Sequence, residues 1–167
     1  MERKTRILVS IVVASIFMLA VVGSLSAATY ESLAGLKSIK AIFDVRAPNA
    51  KSAAIQLKLI HDTYKDKSIM AVSKKPSFIV AFMGPSVKLI SRDKQGFSAE
   101  DQKLMDEIAQ TVQAMAKDGI KLEVCDFAVK VSGGDVASIL PEIKHLPNGW
   151  ISLIGYQAKG YSIVPVY

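Results

Sequence analysis

The chain has 167 residues, a formal net charge of +6 and a single cysteine, Cys125. That length suits one domain with a sizeable core, and one cysteine excludes an intramolecular disulfide framework. Lys and Arg are scattered, with Lys74-Lys75 the only adjacent basic pair beyond the amino terminus and no basic block interleaved with aromatics, so no nucleic-acid partner is expected.

The amino terminus has the layout of a secretory signal peptide. Arg3, Lys4 and Arg6 precede Ile7 to Leu25, nineteen residues without a charge, and Ser26, Ala27 and Ala28 then offer small residues for cleavage. The alternative is an uncleaved anchor, because nineteen apolar residues approach the ~20 needed to span a bilayer. Residues 1–28 are therefore expected to be a signal peptide or membrane anchor, and residues 29–167 a single α/β domain. Any membrane contact is expected through the first segment alone. Either way the domain is expected outside the cytoplasm, in the periplasm or cell envelope, since positive flanks stay inside. Removing residues 1–28, which carry Arg3, Lys4, Arg6 and Glu2, lowers the formal charge from +6 to +4.

Thr29 to Lys37 reads as a polar lead-in. Ile39 to Val45 is a predicted first strand whose apolar run suits a sheet covered on both faces. Pro48-Asn49 supplies a turn and an N-cap, after which Ala53, Leu57, Ile60 and Tyr64 recur at helical spacing and predict a helix from about Ala50 to Tyr64. His61 sits beside this apolar stripe with no second ligand at metal spacing, so it reads as a boundary residue. Lys65 to Ser77 is expected to be a polar connection, leading to a second strand from Phe78 to Met83 that Gly84-Pro85 ends.

A short helix is expected at Ser86 to Ile90 and a loop at Ser91 to Phe97. Ser98-Ala99-Glu100-Asp101 then starts a helix whose apolar face carries Leu104, Met105, Ile108, Val112 and Met115, with Gly119 as its stop. Ile120, Leu122 and Val124 alternate with Lys121 and Glu123 in a third strand. After a loop at Gly133-Gly134, a short helix is expected at Val136 to Leu140 and a fourth strand at Ile143 to Leu146. Asn148 caps a last helix, Gly149 to Lys159, with Trp150, Ile151, Leu153 and Ile154 expected as its buried side, and Tyr161 to Val166 closes as a fifth strand. The strand–helix alternation predicts a three-layer α/β/α fold around a five-stranded, mainly parallel sheet.

Within this order Cys125 falls at the carboxyl edge of the third strand, where open α/β sheets gather ligands and chemistry. The segment Phe127 to Val131 is expected to begin a helical turn whose amide end favours a thiolate. Gly133-Gly134 has neither the dinucleotide spacing nor a Walker lysine, there is no zinc spacing, and no cofactor is expected.

The stretch Gly119-Ile120-Lys121-Leu122-Glu123-Val124-Cys125, followed by a turn with a basic residue and then Gly and Asp, resembles the DsrE/DsrF family of sulfur-relay proteins, which includes the TusD-type subunits. Met83-Gly84-Pro85-Ser86-Val87-Lys88 and the run from Leu146-Pro147-Asn148-Gly149-Trp150 to Gly160-Tyr161 carry the likeness further, over about residues 36–167. Where relay subunits carry consecutive arginines after the cysteine this chain has Lys130, and where a histidine precedes the Gly-Pro turn it has Met83.

The resemblance implies that Cys125 accepts sulfane sulfur as a persulfide and passes it to a thiol or persulfide-carrying protein partner. Lys130 is the candidate to stabilise the thiolate. His145, at the end of the fourth strand, is the candidate helper if that strand neighbours the third. The activity implied is at most that of a sulfurtransferase-like carrier, and a homo-oligomer, trimer or hexamer, is expected. The competing reading is a noncatalytic, homo-oligomeric binding module that keeps the fold.

Overall fold

The computed structural model describes residues 30–167; the expected signal or anchor segment lies outside the described residues. Before Leu36 there is one 3-10 turn, Glu31–Leu33. From there the chain runs β1 (Lys40–Val45), α1 (Ala50–Tyr64), α2 (Lys67–Val72), β2 (Ser77–Phe82), a 3-10 segment (Gly84–Ile90), α3 (Ala99–Lys117) and β3 (Lys121–Cys125). It continues through α4 (Asp126–Val131), a 3-10 turn (Val136–Ser138), β4 (Lys144–Leu146), α5 (Gly149–Ala158) and β5 (Ser162–Val166).

The strands form one sheet in the order β4-β3-β2-β1-β5, and all four neighbouring pairs are parallel. This is the three-layer α/β/α architecture that the alternation of strands and helices predicts. The order also explains how the layers are filled. From β1 to β4 each strand is added on the same side of its predecessor, and right-handed crossovers then place their connecting helices on one face. The step from β4 to β5 runs back past β1, so its helix α5 lies on the opposite face.

Burial follows that division. Phe43, Val80, Phe82, Leu122 and Val124 point toward α1 and α3 and share a core with Leu57, Ile108, Val112 and Met115. Ile42, Ile79, Ala81, Met83 and Cys125 point the other way and are met by Leu153 of α5. A strand's period of two sends alternate residues to opposite faces, and with both faces covered β2 is apolar at every position after Ser77, while β1 departs from this only at Lys40 and Asp44.

Helix starts agree with the sequence. The Asn49 side chain accepts from the Ser52 amide at 2.9 Å, Ser98 Oγ accepts from the Asp101 amide at 3.1 Å, and Asn148 Oδ1 accepts from the Trp150 amide at 3.0 Å. His61 is tied at 2.7 Å to Asp118, which also receives Lys65.

Two expectations are corrected. The polar connection Lys65 to Ser77 contains α2, started by Asp66, whose Oδ1 accepts from the Ser68 amide at 2.7 Å; a six-residue helix is too short to show a periodic stripe. The buried side of α5 is not Trp150, Ile151, Leu153 and Ile154. Of these only Leu153 is buried, while Trp150, Ile151 and Ile154 are 63%, 68% and 66% exposed. The inward side instead carries Gly149, Leu153 and the hydroxyls of Ser152 and Tyr156, which have a buried acid to meet.

Candidate functional site

The site follows from the pleat of β3. Leu122 and Val124 go to the α1/α3 face, so Glu123 and Cys125 go to the α5 face. Register fixes what lies beside them. Asp44, Ala81 and Glu123 stand in one row across β1, β2 and β3. One step further along the strands, the next row on this face is Arg46, Met83 and Cys125.

Cys125 ends β3 and is the N-cap residue of α4. Its thiol is free, and the residue is only 5% exposed. The first residue of α5 lies against it. A Cβ added at Gly149 would collide with the Met83 sulfur and come within 3.0 Å of Cys125 Cβ, so glycine is what allows the helix to start so near the sheet. Ser86 supports the floor from below, its Oγ 2.8 Å from the Val45 carbonyl and 2.9 Å from that of Met83.

Cys125 opens into a cavity of about 410 Å³. Met83, Gly84 and Cys125 form its floor, Phe127, Ala128 and Val131 of α4 one wall, and Asn148 and Trp150 the opposite one. Arg46 is the one charged side chain in the lining. Its Nε donates to both carboxylate oxygens of the buried Asp44, at 3.1 and 3.0 Å.

Below this cavity is a second buried acid. Glu123 accepts hydrogen bonds from the Ser152 and Tyr156 hydroxyls, the latter at 3.0 Å. Burial, with the Glu123 carboxyl alongside, pushes the Tyr156 phenol up to about 12.

The structure does not bring the three sequence-predicted residues together. Cys125 lines the cavity. His145 is opposite Val124 in the β3–β4 register and so belongs to the other face of the sheet from Cys125; its Nδ1 lies 2.7 Å from Asp126 Oδ1. Lys130 is exposed and is not among the residues that line the cavity. What the sequence reading missed is Arg46, the places of Met83 and Trp150 in the lining, and the close approach of Gly149 to Cys125. The available signal was that parallel strands ending level place the residues following β1 and β2 beside the end of β3.

An α/β protein with a parallel sheet and a buried cysteine bordering a cavity at a strand's carboxyl edge is the class that this geometry defines. The sequence matches the DsrE/DsrF-like family over residues 40–166, and the chain belongs to that family. A protein of Aquifex aeolicus (strain VF5) is 24% identical over 127 residues, a stretch that covers 76% of this chain and 56% of that relative. The chain thus spans little more than half of the relative's length.

Two solved structures share the fold. One is MTH1491 from Methanobacterium thermoautotrophicum, with a TM-score of 0.58 at 13% identity, covering 77% of this chain and 99% of that one. The other is the ychN protein from E. coli, with a TM-score of 0.55 at 9% identity, covering 76% and 98%.

Proposed function

We propose that the protein is a sulfur carrier in which Cys125 accepts sulfane sulfur and hands it on. The observation that carries this reading is the position of the only cysteine, at the floor of a cavity at the carboxyl edge of β3, in a chain of the DsrE/DsrF-like family. In the accepting step the Cys125 thiolate attacks the terminal sulfur of a donor persulfide. A new S–S bond forms at Cys125 as the donor's S–S bond breaks, and the electron pair of that bond leaves on the donor as a thiolate. The transferred sulfur keeps its proton, no net oxidation occurs, and a partner thiolate reverses the same exchange to take the sulfur away.

The test is incubation with a polysulfide donor followed by mass spectrometry of the peptide containing Cys125, with Cys125→Ser as control. A gain of one sulfur atom on the wild-type peptide alone is expected. Equal masses for wild type and variant, with the fold intact, would remove the carrier reading.

A second reading, a homo-oligomeric interaction module, is favoured by the exposed apolar side chains of Phe127, Trp150, Ile151 and Ile154 on α4 and α5. Scattered apolar residues are normal on a surface, but a group carried by adjoining helices marks a contact face. Light scattering at micromolar concentration is expected to give a multiple of the monomer mass, and Trp150→Glu with Ile154→Glu to reduce it. A single species at monomer mass in the wild type would end this reading.

A further inference from the structure

The cavity at Cys125 has a feature that sulfur exchange alone does not use. Arg46 enters it already anchored, because its Nε is held by Asp44, itself only 6% exposed at the end of β1. Among the described residues neither Nη group has a hydrogen-bond partner, and the side chain remains 31% exposed. A guanidinium fixed through Nε presents its remaining donors as a planar fork, a geometry matched to a carboxylate or sulfonate. Opposite it the walls are apolar, from Phe127, Val131 and Trp150.

Arg46 and Cys125 are two strands apart, with Met83 between them, so their backbones are separated by roughly 10 Å. A volume of about 410 Å³ falls in the range of small-molecule sites.

We propose that this cavity binds small organic anions, with the apolar body lying between Phe127, Val131 and Trp150 and the carboxylate or sulfonate head on the Nη groups of Arg46. The proposal deepens the carrier reading by naming the donor's class, a low-molecular-weight organic persulfide with an acidic head, and to that extent rests on it. Binding itself requires no sulfur. Asp44 offsets the charge of Arg46 but leaves its outward donors free, so Arg46 decides specificity for the head while the walls hold the body.

The chain's only tryptophan, Trp150, lines the cavity and reports on it. The experiment titrates the full chain carrying Cys125→Ser with 3-phenylpropanoate and, separately, with its neutral counterpart 3-phenylpropanamide, following Trp150 fluorescence. The carboxylate is expected to bind at least about tenfold more tightly than the amide, the preference of one hydrogen-bonded charge. Adding Arg46→Gln is expected to bring the two affinities together. Adding Asp44→Asn, which keeps Arg46 and removes its counter-charge, is expected to widen the preference, an effect that a merely structural role of the pair would not produce.

Equal binding of carboxylate and amide, no fluorescence response to either at about 10 mM, or a preference that survives Arg46→Gln would overturn the proposal. If Arg46→Gln fails to fold with Asp44 left unpaired, the Asp44→Asn arm decides, and an unchanged preference there is equally fatal. Because the reactive sulfur is absent throughout, failure here leaves the mass test of Cys125 standing, and failure of that test leaves the anion site standing.

Discussion

Gly149→Ala is expected to destabilise the protein by about 1–3 kcal/mol, the usual cost of one methyl group forced into a packed site. Alanine would ordinarily help a helix by up to about 1 kcal/mol relative to glycine, so the contact sets the sign. The new Cβ would strike the Met83 sulfur and lie 3.0 Å from Cys125 Cβ. The Met83 thioether, itself buried, makes the closer contact and has little room to move, and Cys125 Cβ is fixed by β3, so α5 must retreat from the sheet. For a domain of this size the loss corresponds to a fall in Tm of roughly 3–12 °C.

Combining Gly149→Ala with Met83→Ala makes room for the methyl group. The pair is expected to be less destabilised than the sum of the singles by on the order of 1 kcal/mol. Urea denaturation of the four proteins measures both terms, and a Gly149→Ala variant as stable as the wild type would contradict the packing described.

Glu123→Ala is expected to cost more, about 2–4 kcal/mol, because two hydroxyls of α5 lose their acceptor at once and a space opens beneath the helix. Glu123 is buried on β3 and receives both Ser152 and Tyr156. Glu123→Gln keeps the shape and one acceptor oxygen, and is expected to lose about 1 kcal/mol.

The same variants have an alkaline signature. The Tyr156 phenol is pushed up to about 12, first by burial and then by Glu123, so its folded value lies above its unfolded one. The stability it contributes is complete below about pH 10 and is lost as pH rises through 10 to 12. In a tyrosinate absorbance titration, one of the five tyrosines is expected to ionise late in the wild type. In Glu123→Ala it is expected to move only part of the way back, because burial remains. All five ionising together in the folded wild type would refute this.

The sheet was legible because strands buried on both faces must be largely apolar, as β1 and β2 are, while β3 showed itself by Leu122 and Val124 alternating with Lys121 and Glu123. Helix starts were legible from Asn49, Ser98 and Asn148, whose side chains have a local task. The orientation of α5 was not. Trp150, Ile151 and Ile154 are apolar on the side away from the sheet, while Ser152 and Tyr156 turn inward to an acid 29 and 33 residues earlier in the chain, so hydropathy pointed to the wrong side. Cys125 was legible as the last residue of its strand. Its neighbours were not, because the placing of Arg46 and Met83 beside it depends on the registers of β1, β2 and β3, a long-range property that no local pattern records.

The reversal of strand order after β4 has a consequence in time. Everything that packs over Cys125 on its own face of the sheet, from Gly149 through Leu153, is made after the cysteine. At synthesis rates of about 5–20 residues per second, Cys125 precedes the start of its covering helix by roughly 1–5 s. β1, β2, β3 and the helices of their other face all precede that cover in the chain, so Cys125 leaves the ribosome ahead of the helix that encloses it. Oxidants therefore have their easiest access to Cys125 in the newborn chain, before the mature fold offers only the cavity mouth.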